Sequence, residues 1–186
     1  PIFAGYPENQ VDYILNHARP KYIVSSCKKQ YDKVAASTFN EITKSWVMDE
    51  VELTEANAFS SLLENDEAPT DKLDERISLV HGDDLCLIMY TSGTTGPPKG
   101  VRLTHRNIIS QQKALSLLWD VDEDDTFLSY LPWHHSFGGL FERFMTLFNG
   151  ATLGIDDSKG RDMDRMIENW KLWEPTVFFS VPRVHE

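Results

Sequence analysis

The chain has 186 residues, of which 41% are hydrophobic and 25% charged, and its formal net charge is -11. This length suits one domain, or a piece of a larger one, with the composition of an ordinary soluble protein. The negative charge argues against binding along a nucleic acid, although a local loop can still hold a small anion. No stretch reaches the ~20 apolar residues that would span a bilayer.

The cysteine content and the chain ends bear on where this protein works. Cys27 and Cys86 are too few for a disulfide framework, and no cysteine or histidine spacing indicates zinc. No basic and then apolar leader follows Pro1. We therefore expect a cytoplasmic setting, with association at a membrane surface left open. The start at Pro1 and the end at Glu186, shortly after an apolar run, suggest a fragment of a larger protein.

The first part of the chain alternates helical and strand patterns. Apolar residues fall on one helical face between Pro7 and Pro20, which predicts a helix there. Residues 21–26 and 46–48 have the β-branched and apolar character of strands, and a weak helical pattern covers residues 29–36. Such alternation is typical of βαβ units around a parallel sheet.

An acidic stretch marks the predicted boundary between two parts of the chain. Residues 65–84 contain Pro69 and Gly82, which predicts a linker or, alternatively, a solvated surface loop. On this basis residues 1–82 form an N-terminal α/β part with an acidic linker. Residues 83–186 form a second part, and together the two make one incomplete domain.

The second part opens with a strongly apolar pattern. Residues 85–90 predict a strand buried on both faces, and a loop rich in Ser, Thr, Gly and Pro follows over residues 91–100. The further predicted elements are a helix from Thr104 to about Trp119 with Ile108, Ile109, Leu115 and Leu118 facing inward, a strand at 127–131, a helix at 138–148 ended by Asn149 and Gly150, a strand at 151–155, a helix at 162–173 and a strand at 176–181.

The loop after the apolar strand is the most informative segment. It has four hydroxyls, two interior glycines and Lys99 within the run from Thr91 to Gly100. Glycines let the backbone approach a ligand closely, and their amides can together hold anionic oxygens. A loop at the carboxyl end of a buried strand is also where open α/β sheets bind ligands. A chain of phosphates is the favoured ligand, with a plain flexible loop as the alternative. A Walker loop is excluded because Gly100, and not Ser or Thr, follows Lys99.

The whole string Tyr-Thr-Ser-Gly-Thr-Thr-Gly-Pro-Pro-Lys-Gly-Val, from Tyr90 to Val101, resembles the signature of the adenylate-forming (AMP-binding) superfamily. That superfamily includes acyl-CoA synthetases, carrier-loading adenylation domains and beetle luciferases, and Leu103-Thr-His-Arg-Asn107 continues the likeness. Its loop grips the β and γ phosphates of ATP while a carboxylate attacks the α phosphate. The resemblance implies phosphate contacts from Thr91, Ser92, Gly93, Thr94, Thr95, Gly96 and Lys99, with Lys99 also acting in catalysis.

A second motif, Leu131-Pro-Trp-His-His-Ser-Phe-Gly-Gly139, follows a predicted strand. Adjacent histidines in an extended segment point to different faces, so we do not expect them to share a metal. The superfamily has a Pro-x-x-His segment between ATP and the acid, and aligning the prolines makes this histidine His135. The resemblance implies that His135 is a catalytic donor to the substrate carboxylate and that Trp133 and Phe137 help wall the acyl pocket. We interpret His134 as structural.

Two shorter segments, Leu140-Phe-Glu-Arg143 and Phe178-Phe-Ser-Val-Pro-Arg-Val184, resemble long-chain acyl-CoA synthetases. The implied fold is α/β, with alternating strands and helices around a mostly parallel sheet, as part of the large N-terminal domain of such an enzyme. The implied reaction is ATP-dependent activation of a carboxylic acid, here a fatty acid, to an acyl-adenylate and then an acyl-CoA. The alternatives are a carrier-loading adenylation domain and a non-catalytic nucleotide-binding module.

The same resemblance implies the ligands of the parent enzyme. These are the acid, ATP, Mg²⁺ and coenzyme A, with no nucleic acid, while the oligomeric state is not predicted. The superfamily segments that bind adenine, ribose and Mg²⁺ have no counterpart in this sequence, and neither has the small C-terminal domain with its lysine. We therefore expect the Mg²⁺-binding Glu to lie outside this chain, and the isolated chain to be inactive.

Overall fold

The computed structural model describes residues 1–49, 57–62, 64, 70–91, 96–158 and 160–181. The chain forms two compact units. The first comprises residues 2–80 and 92–99, and the second comprises residue 1, residues 81–91 and residues 100–186. The division at residue 82 that the linker pattern suggested stays a prediction.

The first unit contains a small three-stranded parallel sheet and three α-helices, one of which connects the first two strands. Its elements are α1 (Glu8–Ala18), β1 (Tyr22–Ser25), α2 (Lys28–Ala35), β2 (Lys44–Val47), β3 (Asn57–Ala58), a 3₁₀ turn (Phe59–Leu62) and α3 (Thr70–Ser78). β1 pairs with β2 and β2 with β3, both in parallel register. The predicted helix over residues 7–20 is confirmed as α1, which buries Val11, Ile14 and Leu15 on one face.

The acidic stretch predicted as a linker or surface loop contains a helix, α3. Its sequence, Thr-Asp-Lys-Leu-Asp-Glu-Arg-Ile-Ser, is rich in residues that favour helices, and this local preference outweighs the acidic, loop-like composition. Residues 65–69, where the predicted linker begins, lie outside the described residues.

The second unit carries two further pairs of strands. Its elements are β4 (Leu85–Thr91), β5 (Lys99–Thr104), α4 (His105–Leu115), β6 (Thr126–Ser129), a π-helical turn (Phe137–Glu142), α5 (Arg143–Asn149), β7 (Thr152–Ile155) and α6 (Met163–Trp173). β4 and β5 are hydrogen-bonded neighbours, and β6 pairs with β7 in parallel register. The helix predicted over residues 138–148 is present but begins as the π-helical turn, and it ends at Gly150, whose φ of 77° fits a glycine cap.

Four predictions for the second unit differ from the structure. The prediction that residues 91–100 are all loop missed the start of β5 at Lys99. The strand at 85–90 is not buried on both faces, because only Met89 and Tyr90 are buried and Leu85 is 44% exposed. The remaining two concern α4 and the final strand.

The helix α4 ends at Leu115 and not near Trp119. Ile108 and Leu115 are buried as predicted, whereas Ile109 and Leu118 are exposed. Ile109 lies one residue past the inward face of α4, and Leu118 lies beyond its last turn. The apolar spacing in the sequence therefore extends further along the chain than the helix does.

Residues 176–181 do not form the predicted strand. A single parallel bridge joins Phe127 to Val177, and the amide of Val181 then donates to the Tyr130 hydroxyl at 3.1 Å. The Val181 amide is thus bonded to a side-chain oxygen, and not to the backbone carbonyl of a neighbouring strand as it would be in a sheet.

The core of the second unit surrounds the end of β6. One cluster is built on Leu115, Phe127 and Met145, and another on Tyr130, Leu131 and Met166, with Phe179 packed against both. This packing fixes the chain where it leaves β6 and enters the Pro-Trp-His-His segment. Among the described residues, no helix is both long and apolar enough to cross a membrane.

Candidate active site

The glycine- and hydroxyl-rich loop connects β4, which ends at Thr91, to β5, which begins at Lys99. Ser92, Gly93, Thr94 and Thr95 lie outside the described residues. Thr91, in the second unit, and Gly96 and Lys99, in the first, are exposed. The backbone of Gly96 has a φ of 106°, which L side chains rarely adopt. No ion pair joins Lys99 to any residue in the described part of the chain.

The strands on either side of this loop approach each other closely at Gly100. A Cβ atom there would lie 3.1 Å from Ile88 Cγ2 and 3.3 Å from Tyr90 Cε1. Glycine therefore allows β5 to lie against the side chains of β4, and the signature residue Gly100 has a packing role.

The continuation of the signature, Leu103–Asn107, forms the start of α4. The Thr104 hydroxyl accepts from the Asn107 amide at 3.2 Å, while the Asn107 side chain accepts from the Thr104 amide at 3.0 Å. This capping box confirms the predicted helix start. Arg106 Nε donates to Asp83 Oδ1 at 2.7 Å, and this hydrogen bond and charge lower the pKa of Asp83.

His135 lies in an exposed, tightly turned segment after β6. Its amide donates to the Pro132 carbonyl at 3.0 Å, and its own carbonyl accepts from the Gly139 amide at 2.8 Å. The Phe137 amide donates to His135 Nδ1 at 3.3 Å. An accepting Nδ1 assigns the proton of the neutral ring to Nε2, so the outer edge of the imidazole presents a hydrogen-bond donor.

The π-helical turn packs its glycines directly against this segment. A Cβ on Gly139 would lie 2.1 Å from the Trp133 carbonyl oxygen, and one on Gly138 would lie 2.8 Å from the Leu131 carbonyl oxygen. Both distances are too short for any side chain, so the paired glycines are required here. Single π turns inside helices are frequent at functional sites.

Three further side chains of this motif have distinct surroundings. Trp133 is half-buried, its Nε1 donates to Ser129 Oγ at 3.3 Å, and the Arg143 guanidinium lies 5.4 Å from its ring centroid. Burial, and then the neighbouring His135, lower the pKa of His134. Phe137 stacks on Phe141 with ring centroids 5.4 Å apart, so it is part of the aromatic core as well as a predicted pocket wall.

Sequence reasoning missed Glu142, which closes the π-helical turn. Its side chain is fully buried, one carboxylate oxygen accepts from the Ser129 hydroxyl, and burial raises its pKa to about 7. The other oxygen, Oε1, has no hydrogen-bond partner in the described part of the chain. The available signal was its position, because Glu142 falls at helical spacing between the buried Gly138 and Met145.

The described residues contain no group of three or more His, Cys, Asp or Glu side chains that could hold a metal ion. The expectation that the Mg²⁺-binding Glu lies outside this chain stays a prediction. In the second unit, His135 presents a hydrogen-bond donor from a turned segment. In the first unit, the Lys99 ammonium is exposed and the Gly96 backbone is left-handed.

Comparison with known proteins places these features in a family context. A model of the AMP-binding enzyme family matches residues 1–186. Fatty acyl-CoA synthetase B of Dictyostelium discoideum is 45% identical over 107 residues, covering 56% of this chain and 15% of that protein. Long chain acyl-CoA synthetase 2 of Arabidopsis thaliana is 30% identical over 206 residues, covering 100% of this chain and 29% of that protein.

A third relative and a solved structure extend the comparison. A chloroplastic long-chain-fatty-acid–[acyl-carrier-protein] ligase of Arabidopsis thaliana, AEE15, is 38% identical over 119 residues, covering 64% of this chain and 16% of that protein. ATP-bound MatB from Rhodopseudomonas palustris superposes with a TM-score of 0.76 at 28% identity, covering 99% of this chain and 34% of that chain. The chain therefore spans 15% to 29% of the length of the three curated relatives, and the predicted α/β fold class is confirmed.

Proposed function

This chain belongs to the AMP-binding enzyme family, and from that premise we propose that the protein carrying it is an ATP-dependent fatty acyl-CoA synthetase. A carboxylate oxygen of the acid attacks the α phosphorus of ATP, pyrophosphate leaves, and an acyl-adenylate forms. The thiol of coenzyme A then attacks the acyl carbon and releases AMP. The observation that carries the proposal is the complete phosphate-loop signature, Tyr90–Val101, which runs from the end of β4 to the start of β5, two hydrogen-bonded strands.

The residues of the loop suit a polyphosphate. Thr91 and the hydroxyls of Ser92, Thr94 and Thr95 supply donors, and the left-handed backbone at Gly96 suits a loop that turns its amides toward an anion. The exposed Lys99 ammonium would stabilise the negative charge that moves onto departing pyrophosphate.

His135 has the protonation geometry that its proposed role requires. With Nδ1 accepting from the Phe137 amide, Nε2–H is available to donate to an oxygen of the acid. Such a donor would orient the carboxylate and relieve its repulsion from the α phosphate as the two approach. Trp133 and Phe137 supply apolar surface beside it, which supports an acid with a hydrocarbon chain.

A carrier-bound thiol is the second candidate acceptor. The relative that favours it is AEE15, named as a long-chain-fatty-acid–[acyl-carrier-protein] ligase. Adenylation is common to both candidates, so only the second half-reaction separates them. Transfer of the acyl group to free coenzyme A supports the leading proposal, and transfer only to a phosphopantetheine-bearing carrier supports the alternative.

The test is pyrophosphate release by the full-length protein across a panel of acids that runs from acetate to long-chain and aromatic acids. We expect release to require a carboxylic acid and to be fastest with fatty acids. Lys99→Ala should slow adenylation about 10- to 1,000-fold, the range for losing one electrostatic contact. Lys113→Ala, which removes an exposed lysine from α4, serves as the matched control. Release without any dependence on an acid, or at the parental rate in Lys99→Ala, would contradict the proposal.

A further inference from the structure

We propose that Glu142 is a positioning residue whose carboxyl group orients the Ser129 hydroxyl and, through it, the Trp133 indole, and so holds the turn that presents His135. The inference rests on the proposed function for the chemistry assigned to this turn. It begins from a buried carboxyl in the second unit that none of the assigned steps uses. Glu142 is fully buried, and its hydrogen bond to Ser129 joins the π-helical turn to the end of β6.

The hydrogen bonds at Ser129 have a fixed direction. The Trp133 Nε1–H can only donate, so at 3.3 Å it must use a lone pair of the Ser129 hydroxyl oxygen. The single hydroxyl hydrogen is then directed to Glu142 Oε2, which can accept it whether the carboxyl group is ionised or carries its proton on Oε1. Removing that acceptor frees the Ser129 hydroxyl to rotate, and the lone pair that receives the indole is no longer held in place.

The backbone around the turn links the Glu142–Ser129–Trp133 hydrogen bonds to the position of His135. Gly139 leaves no space between the π-helical turn and the Trp133 carbonyl, and the Gly139 amide donates to the His135 carbonyl at 2.8 Å. Trp133 is therefore held on its backbone side by the glycines and on its indole side by Ser129. His135, two residues further on, is positioned by whatever fixes Trp133.

The carboxyl is not retained as half of an ion pair. The neighbouring Arg143 guanidinium lies over the rings of Trp133 and Phe144, at 5.4 and 4.7 Å from their centroids. No salt bridge joins Glu142 to a cation in the described part of the chain, and Glu142 Oε1 is without a partner there. A buried carboxylate in this setting is destabilising. An apolar residue of similar length would destabilise the fold less. Stability therefore does not explain why a carboxyl group occupies position 142, whereas a positioning role does.

The network is tested directly by the indole N–H resonance of Trp133 in the full-length protein, identified by its loss in Trp133→Phe. We expect Glu142→Met to move that resonance in the same direction as Ser129→Ala, although the carboxylate bonds to Ser129 and not to the indole. In Glu142→Met the indole proton of Trp133 should exchange with water about fivefold faster, as expected for the loss of one neutral hydrogen bond. Glu142→Gln, which keeps an acceptor oxygen, should restore the parental resonance, and the exposed control Glu123→Gln should leave it unchanged.

Kinetics of the full-length protein provide the second arm. We expect Glu142→Met to lower the rate of adenylation about 10- to 100-fold with little change in KM for ATP, because a catalytic group is displaced and no ATP contact is lost. Glu142→Gln should recover most of the rate. The double variant Glu142→Met/Ser129→Ala should be no slower than the slower single variant, since both act through one chain of bonds.

The two arms separate this inference from the proposed function. An unchanged Trp133 indole resonance in Glu142→Met, or parental adenylation by that variant, would overturn the positioning role even if the ligase activity is established. If the full-length protein adenylates no acid, the proposed function fails, and the indole resonance alone then decides whether Glu142 positions the turn.

Discussion

Individual residues of this chain divide into exposed groups available for chemistry and buried groups that hold them. His135 is exposed with Nδ1 already accepting a hydrogen bond, whereas the adjacent His134 is half-buried and burial lowers its pKa. Two neighbouring histidines thus have different environments, which supports the interpretation of one as a donor to substrate and the other as structural.

The tautomer of His135 can be tested with two isosteric substitutions. In His135→Asn the amide oxygen can take the place of Nδ1, and in His135→Gln the amide nitrogen can reach the place of Nε2. We expect the Asn variant to lose about 10- to 1,000-fold in adenylation rate, and the Gln variant to lose less, because only the latter keeps an outward donor. Stopped-flow measurement of pyrophosphate release compares them, with His134→Asn as the control. Equal losses in Asn and Gln would exclude the Nε2 assignment.

The burial of Glu142 predicts a pH-dependent stability. The unfolded chain releases this proton near the ordinary pKa of 4.5, while burial keeps it bound in the folded protein to about pH 7. Between these values the unfolded state binds fewer protons, so the contribution of Glu142 to stability falls as pH rises and is lowest above pH 7. Glu142→Gln should therefore raise the unfolding free energy by up to about 3 kcal/mol more near pH 8 than near pH 5.

Urea unfolding of both proteins at the two pH values measures this difference. Glu123→Gln, at an exposed position, should show no comparable dependence on pH. If Glu142→Gln changes the free energy of unfolding by the same amount at both pH values, the Glu142 carboxyl titrates normally in the folded protein.

Among the helices and strands, some ends are set by local capping residues and others by packing against distant parts of the chain. The Thr104–Asn107 capping box begins α4 at the residue its sequence predicts, and Gly150 ends α5 in the same way. The π-helical turn before α5 is different, because its backbone lies against the Trp133 and Leu131 carbonyls and depends on glycines at both contacts.

That close contact predicts a strong effect of a single methyl group. Gly139→Ala should destabilise the protein by about 1 to 3 kcal/mol through overpacking and slow adenylation, because the added Cβ must displace the turn that carries His135. Thermal unfolding and pyrophosphate release measure the two effects. Gly82→Ala is the matched control, since the atoms nearest to its Cβ would belong to the Arg106 side chain, at 3.4 Å and beyond. Parental behaviour of Gly139→Ala would show that the turn can move without consequence.

At the scale of the whole molecule, a net charge of -11 coexists with a site proposed for ATP. The two are compatible because the loop would bind phosphate through amides, hydroxyls and one ammonium at contact distance, whereas exposed charges more than about 10 Å away are largely screened by salt. The chain also spans only 15% to 29% of the length of the relatives compared above. We therefore expect further nucleotide contacts to come from segments that this sequence does not contain.

We accordingly predict that the 186-residue chain alone forms no measurable acyl-adenylate. Radiolabelled ATP–pyrophosphate exchange with a long-chain acid measures this, with the full-length protein as the positive control under the same conditions. Exchange by the isolated chain, abolished by Lys99→Ala, would contradict the prediction and show that the loop and His135 suffice for adenylation.

The family, the loop that carries its signature and the helices whose caps and apolar faces are local features could all be predicted from the order of the amino acids. These depend on residues close together in the chain, as at Thr104 and Gly150. Three features became known from the packing of the folded chain: Glu142 is buried against Ser129, Gly139 lies on the Trp133 carbonyl, and residues 176–181 end as an irregular segment on Tyr130. Each of these is a contact between distant or differently folded segments, and no propensity or periodicity along the chain specifies which atoms meet there.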